Sequence, residues 1–210
     1  VGRAVLGRGR GGDLPDGDRQ APEAAPEAHA RGRLVQAGPR GRRDAVLVAE
    51  LGSRLLGPTS ELRERGPIHA VIAIGSGQAR AAISQLLSGL SVSWATLVHP
   101  DSTVGLHVEL GPGTIIAAGA RLSTNIRVGR HVQIDQNATI GHDTVVGDFT
   151  RLNPQACVSG SVVLADQVMI GASATVLQGL RVNCSAVVGA GAVVVRDIGD
   201  FATVKGVPAR

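Results

Sequence analysis

An aliphatic residue returns every six positions along the second half of the sequence, seventeen times without an insertion or a gap. Neither the 3.6-residue period of a helix nor the two-residue alternation of an ordinary strand produces a repeat of six. Such a repeat predicts a short strand followed by a tight corner, with equivalent side chains stacked from one coil to the next. The repeated positions are Val98, Val104, Leu110, Ile116, Leu122, Val128, Ile134, Ile140, Val146, Leu152, Val158, Leu164, Ile170, Val176, Val182, Val188 and Val194.

Small residues and glycines accompany the repeat at fixed places. A small residue commonly stands four positions after the aliphatic one, and a glycine commonly stands directly after it. The glycines, which are Gly105, Gly111, Gly129, Gly141, Gly147, Gly171 and Gly189, are expected to supply corner conformations that a Cβ would oppose. Trp94, Phe149 and Phe201 are the only Trp, Tyr or Phe residues, which suits a narrow aliphatic core with no room for rings.

Composition and charge limit the classes of protein that the chain can represent. No run of about 18 apolar residues or secretory signal is present, so a cytoplasmic protein without a membrane span is predicted. Residues 1–93 hold 13 Arg against 9 Asp and Glu, whereas residues 94–210 hold 8 Lys and Arg against 8 Asp and Glu. The repeat region therefore lacks the basic excess of a nucleic-acid binder. Cys157 and Cys184 are expected to be buried thiols.

A histidine followed by an aspartate stands within the repeat in NATIGHDTVVGD, residues 137–148. His142 and Asp143 take the third and fourth places of the hexad that begins at Ile140, where the chain turns a corner and side chains can leave the core. An imidazole is suited to act as a general base at neutral pH, and a neighbouring carboxylate can fix its tautomer. A solvated pair of turn residues is the alternative interpretation. His99, His107 and His131 have no acidic neighbour and are given no role; His131 is expected to be exposed at its corner.

Residues 94–210 resemble the hexapeptide-repeat acyltransferases, whose fold is a left-handed parallel β-helix with three hexads per coil. The closer resemblance is to the bacterial sugar acetyltransferases, which include sialic acid O-acetyltransferases and UDP-amino-sugar N-acetyltransferases. The stretches that carry it are ATLVHPDSTVG (95–105), NATIGHDTVVGDF (137–149), VGAGAVVVRDI (188–198) and KGVPAR (205–210).

This resemblance implies transfer of an acetyl group from acetyl-CoA to a sugar or nucleotide-sugar. It implies that His142 is the general base and that Asp143 raises its basicity. It implies a homotrimer in which the cofactor lies in a groove between neighbouring β-helices, and it implies no metal. The implied cofactor contacts are Arg151, Gly160, Ala172 and Ala190. Arg151 stands nine residues after His142, where some members of the family have a second histidine that contacts the cofactor.

Two further segments precede the predicted β-helix domain of residues 98–210. Residues 46–97 suggest part of a small α/β unit: SRLLGPTSELRERG indicates a strand, a cap and a short helix, residues 68–75 a buried strand, and residues 77–90 an amphipathic helix. In the resembling family such a unit binds the nucleotide-sugar through a glycine-rich turn after its first strand, and that strand is not recognisable here. Residues 1–45 are rich in Gly, Arg, Pro and Ala, and are predicted to be disordered or the product of a shifted reading frame.

Other functions remain open at this point. A catalytically inactive β-helical scaffold with a damaged sugar-binding domain accounts for the unfamiliar N-terminal segment. A serine acetyltransferase and a β-helical carbonic anhydrase share the repeat. The last would need three histidines on one zinc across a subunit boundary, and the spacing of His99, His107, His131 and His142 does not resemble that pattern.

Overall fold

The structure, a computed structural model, describes residues 33–34, 54–55, 62 and 67–210. The described residues before Gly66 belong to one unit of the chain, and residues 67–210 belong to a second. In the first unit, strand β1 (Arg33–Leu34) pairs in parallel with strand β2 (Arg54–Leu55), which lies where SRLL predicts a strand. The cap and the helix predicted after β2 lie almost entirely outside the described residues. Residues 1–45, which are predicted to be disordered or the product of a shifted reading frame, also lie outside them except for β1.

A β-α-β element opens the described part of the second unit. Strands β3 (Ile68–Ala70) and β4 (Val92–Trp94) pair in parallel, and helix α1 (Gly77–Leu86) connects them. The hydroxyl of Ser76 caps the helix, because its oxygen accepts a hydrogen bond from the backbone N–H of Ala79 at 3.3 Å. The strand and the helix predicted here are both present, and each is shorter than the sequence pattern suggests. The expectation that the strand is buried is wrong, because Ile68 and Ala70 are half-buried and His69 is exposed.

Helix α1 ends at Leu86, before the predicted end at residue 90. Ser88 and Gly89 follow, and both residue types have a lower helix propensity than the alanines and leucines before them. The backbone closes with a turn in which the N–H of Leu90 donates to the carbonyl of Leu87 at 3.0 Å. Among the described residues, no helix is long and apolar enough to cross a bilayer.

Eighteen short strands build a parallel β-helix with three faces. Successive strands of a face lie 18 residues apart, as when Gln133 pairs with Arg151, so each coil contains three hexads. The last coil is shorter, because Val187 pairs with Thr203. Face I consists of Leu97–Val98, Ile115–Ile116, Gln133–Ile134, Arg151–Leu152, Met169–Ile170, Val187–Val188 and Thr203–Val204. Face II consists of Thr103–Val104, Arg121–Leu122, Thr139–Ile140, Cys157–Val158, Thr175–Val176 and Val193–Val194. Face III consists of Val108–Leu110, Ile126–Val128, Val145–Val146, Val163–Leu164 and Arg181–Val182.

From Ile116 onward, the core of the β-helix is made by the aliphatic residue of each hexad, which is the last residue of its strand; in the first coil Val98 and Leu110 are half-buried and Val104 is exposed. Ile134, Leu152 and Ile170 are successive examples on face I, and all three side chains have no exposed surface. The small residues four positions later, such as Ala138 and Ala174, are also fully buried. The β-helix and the stacked aliphatic core predicted from the hexads are therefore confirmed.

The residues with left-handed backbone conformation at the corners are not the glycines that the sequence suggests. Positive φ occurs three positions after the aliphatic residue, for example at Asn137 and Asp143, both with φ of 58°. Gly141, which directly follows Ile140, is outside the left-handed region; a Cβ placed on it would lie 2.4 Å from the backbone nitrogen of Gly160. The glycines after the aliphatic residues thus permit close approach of the next coil, and the expectation that they set the corner conformation is wrong.

Both cysteines are exposed, and neither forms a disulfide. Cys157 is the first residue of its face II strand, so its side chain points away from the core that Val158 enters. Cys184 lies at a corner. The expectation of two buried thiols is therefore wrong.

Candidate active site

The His142–Asp143 pair lies at the corner between faces II and III. Ile140 and Thr144 on either side of the pair are buried and hold the corner against the core. Asp143 takes the left-handed conformation, and both side chains of the pair point outward, with about half of each exposed (54% for His142 and 49% for Asp143). Nδ1 of His142 lies 2.7 Å from Oδ2 of Asp143. The structure thus places the two predicted catalytic side chains in direct contact on an accessible edge.

The charge of Asp143 determines which imidazole nitrogen of His142 is free. The side-chain hydrogen bond from Asn125 lowers the pKa of Asp143, and the hydrogen bond with His142 lowers it further. The carboxylate is therefore ionised at neutral pH and can only accept hydrogen bonds. Nδ1 of His142 must then carry the proton, so Nε2 of the neutral imidazole has the free lone pair.

Residues one coil away on either side complete the surroundings of the pair. Asn125, 18 residues before Asp143 on the same corner, donates a hydrogen bond from Nδ2 to Oδ1 of Asp143. Gly160, 18 residues after His142, lies beside the imidazole: a Cβ on Gly160 would be 2.7 Å from Nε2. Gly160 was predicted as a cofactor contact, and it adjoins Nε2 of His142. Asn125 was not predicted, although the 18-residue coil length would have found it.

Ala172 and Ala190 lie at another corner, between faces I and II. Both are exposed and occupy equivalent places on successive coils. The carbonyl of Ala172 accepts a hydrogen bond from Gly191 at 2.8 Å, which keeps these coils in register. Within one chain, face II separates them from His142.

Arg151 begins a strand of face I and is engaged by its own chain. Its Nε and Nη2 lie 2.9 and 2.7 Å from Oδ2 of Asp135, and both side chains are mostly buried. Its Nη1 packs against Gly75, where a Cβ would collide with it. The structure therefore brings His142, Asp143 and Gly160 together, and it does not bring Arg151, Ala172 or Ala190 to them.

His131 lies at the corner between faces III and I, and it is buried with 1% exposure. Its ring stacks on Phe149 with a centroid distance of 5.3 Å and meets Trp94 edge-on at 4.6 Å. Nε2 lies 3.3 Å from the hydroxyl of Ser84 on helix α1, while Nδ1 has no partner in the described part of the chain. The expectation of an exposed His131 is wrong, because α1 and Trp94 cover this corner.

Arg80 of α1 is fully buried at the same corner. Burial lowers the pKa of its guanidinium to about 10, so Arg80 remains charged at neutral pH. Arg80 donates six hydrogen bonds, both to the turn before α1 and to the β-helix. The acceptors in the turn are the carbonyl oxygens of Ile74 and Gly75. The acceptors in the β-helix are the carbonyl oxygens of His131, Phe149 and Thr150 and the side-chain oxygen of Gln133. The guanidinium therefore fastens α1 and the turn before it to two successive coils.

The buried His131 predicts that the protein loses stability in mild acid. Desolvation lowers the pKa of His131, Arg130 and Arg80 lower it further, and Asp148 opposes them. Because the unfolded chain then binds the proton more readily, stability is complete above the ordinary value of about 6.5 and falls as the pH drops below it. Urea unfolding of the wild type at about pH 7.5 and about pH 5.5 measures this loss.

His131→Asn is the matched variant for this measurement, because asparagine tolerates the left-handed φ of 54° at this position and does not titrate. We expect the variant to be less stable at neutral pH and to lose less stability than the wild type between the two pH values. An equal loss in both proteins would contradict the assignment to His131.

No group of three or more His, Cys, Asp or Glu side chains that could hold a metal ion occurs among the residues that the structure describes.

No protein-family model matches the sequence, and a comparison with curated proteins finds no relative. Comparison with solved structures finds the same β-helical class of protein, the hexapeptide-repeat sugar and nucleotide-sugar acetyltransferases, which confirms the resemblance predicted from the sequence.

Three of these structures show the extent of the similarity. The acetyltransferase domain of PglB from Neisseria gonorrhoeae, in complex with acetyl coenzyme A, is 27% identical, with a TM-score of 0.72 over 85% of this chain and 97% of that one. PerB from Caulobacter crescentus, in complex with CoA and GDP-perosamine, is 25% identical, with a TM-score of 0.73 over 85% and 95%. WeeI from Acinetobacter baumannii is 26% identical, with a TM-score of 0.71 over 76% and 78%.

Proposed function

We propose that the protein transfers an acetyl group from acetyl-CoA to a nucleotide-linked sugar, with His142 as the general base. The observation that carries the proposal is the contact of 2.7 Å between Nδ1 of His142 and Oδ2 of Asp143 on an exposed corner of the β-helix. It directs the lone pair of Nε2 outward, where an acceptor can approach. The solved structures support the substrates, because PglB was captured with acetyl coenzyme A and PerB with CoA and GDP-perosamine.

The proposed reaction is a direct attack of the acceptor on the thioester. The amine or hydroxyl of the sugar forms a bond to the acetyl carbonyl carbon, the C–S bond breaks, and Nε2 of His142 takes the proton that the acceptor loses. The resulting imidazolium is stabilised by the carboxylate of Asp143, and its proton can pass to the departing thiolate, giving CoA and the acetylated sugar. No covalent intermediate on the enzyme is needed.

The donor contacts are proposed at the positions that the sequence resemblance indicates, which are Arg151, Gly160, Ala172 and Ala190. Exposed alanines at the corner between faces I and II leave the backbone accessible to a long, thin ligand. Arg151 is held by Asp135, so any contact it makes to the donor would use the remaining N–H groups of its guanidinium.

The position of these residues supports a homotrimer. In one chain, His142 lies on a different corner from Ala172 and Ala190, with face II between them. Packing of three β-helices side by side can place one corner of a copy against another corner of its neighbour, and both groups can then line one groove. Sedimentation equilibrium of the full chain measures this state directly.

The decisive experiment is release of free thiol from acetyl-CoA by the purified protein. The acceptors are UDP- and GDP-linked 4-amino sugars, free sialic acid and serine, each compared with a reaction that lacks acceptor. We expect release with one of the nucleotide-linked amino sugars. Release with sialic acid alone would move the acceptor class to free sugars, and release with serine alone would replace the sugar assignment.

If none of the acceptors causes thiol release, two interpretations remain. A direct measurement of acetyl-CoA binding separates them. Binding without transfer would favour a scaffold whose sugar-binding part is defective. Absence of both binding and transfer would overturn the proposed function.

A further inference from the structure

Each oxygen of the Asp143 carboxylate receives a different donor. Oδ2 lies 2.7 Å from Nδ1 of His142, and Oδ1 accepts a hydrogen bond from Nδ2 of Asn125. Asn125 is the residue of the preceding coil that is equivalent to Asp143. Both have a left-handed backbone, with φ of 54° for Asn125 and 58° for Asp143. The three side chains therefore form one chain of hydrogen bonds, from Asn125 through Asp143 to His142.

The backbone holds the first two members of this chain in register. The N–H of Asn125 donates to the carbonyl of Leu106 at 3.0 Å, and the N–H of Asp143 donates to the carbonyl of Thr124 at 3.1 Å. The Asp143 side chain itself is about half exposed, so without a second partner its carboxylate would be free to rotate and to exchange His142 for water. The amide of Asn125 removes that freedom by occupying the other oxygen.

We propose that Asn125 is a positioning residue for acetyl transfer, which acts through Asp143 to hold the imidazole of His142 with Nε2 free and directed outward. This inference rests on the proposed function. It adds a residue that influences His142 only through Asp143, along two successive hydrogen bonds.

The left-handed conformation alone does not explain the contact. Asn137 stands at the equivalent place of the preceding corner, between faces I and II, with the same backbone conformation. Its side-chain oxygen lies against Gly119, where a Cβ would collide with it, and no carboxylate faces it. Asparagine thus suits these corners in general, whereas only at Asn125 does the described structure place a carboxylate opposite the amide.

The test compares Asn125→Gly with the matched control Asn137→Gly. Glycine keeps the left-handed conformation in both variants, so each loses an asparagine side chain without backbone strain. For Asn125→Gly we expect kcat to fall by about 3- to 10-fold, the effect of one lost hydrogen bond, with the KM values for acetyl-CoA and sugar unchanged. The control should keep its kcat, and an equal loss in both variants would overturn the proposal.

A double-mutant cycle shows whether Asn125 acts through Asp143. In an Asp143→Gly background, which keeps the left-handed φ of 58° without strain, Asn125→Gly should have no further effect on kcat, because the group that transmits its influence is gone. A further loss of the same size in that background would overturn the proposal.

A spectroscopic readout separates this inference from the proposed function. Nitrogen-15 chemical shifts of His142 report the share of the tautomer with the proton on Nδ1, and we expect that share to fall in Asn125→Gly and to stay unchanged in Asn137→Gly. An unchanged share in Asn125→Gly would overturn the positioning role. The measurement needs no acceptor, so it gives an answer even if no acetyl transfer is found.

Discussion

Replacing His142 by alanine is expected to lower kcat for acetyl transfer by about 10²- to 10⁴-fold, which is the usual contribution of a general base. The variant loses the nitrogen that we propose as the acceptor of the sugar's proton, while Asp143 keeps its hydrogen bond from Asn125. The folded state should hardly change, because the His142 side chain is 54% exposed and lies outside the aliphatic core. The measurements are thiol release from acetyl-CoA under saturating substrates and the midpoint of urea unfolding.

His142→Asn refines this test, since its amide N–H can still donate to Asp143 although it offers no second nitrogen. We expect a loss of kcat of the same order as in His142→Ala. His107→Asn is the matched control, because His107 lies on the same corner two coils earlier, is exposed, and has no acidic neighbour in sequence. Retained activity in His142→Asn, or an equal loss in His107→Asn, would remove His142 as the base.

Replacing Arg80 by methionine is expected to destabilise the protein by at least about 3 kcal/mol, the scale seen when the partner of a buried charged or polar network is removed. Methionine fills much of the same space and provides none of the six hydrogen bonds. The carbonyl oxygens of His131 and Phe149 would then lose the donor that Arg80 provides beneath α1, and that of Thr150 would keep only the backbone N–H of Gln133. The shift in the free energy of unfolding, from urea or thermal melts, measures the effect.

Arg121→Met is the control for this substitution. Arg121 is exposed on face II, and its side chain donates one hydrogen bond, to the carbonyl of Asp101 at 2.7 Å. A change within about 0.5 kcal/mol is expected for such a surface residue. Similar shifts for Arg80→Met and Arg121→Met would show that the buried guanidinium does not fasten the helix to the coils.

The regular part of the fold could be read from the sequence because every hexad meets the same surroundings. Ile134 and Leu152 lie on one another in adjacent coils, so the same choice of residue recurs wherever the same position recurs. The period of six therefore placed the strands within a residue or two without any knowledge of long-range contacts. The same register would also have shown that Cys157 points outward, because its neighbour Val158 points inward.

The pairing of His142 with Asp143 was predictable because the two residues are adjacent at a corner. The hydrogen bond from Asn125 was not predicted, although it follows from the same 18-residue coil that aligns Gly160 with His142. The distances among these residues are short because parallel coils lie about 4.8 Å apart, so equivalent corner residues of neighbouring coils are within reach of each other.

The sequence by itself determined the β-helix, its core and the place of the histidine and aspartate, because these depend on a local repeat that every coil satisfies in the same way. Only the tertiary structure decided that the corner between faces III and I is buried. His131 and Phe149 occupy ordinary corner positions, and they are buried because α1 brings Arg80 and Ser84 onto that corner from 47 to 70 residues away in sequence. That contact depends on residues outside the repeat, and no periodic signal encodes it.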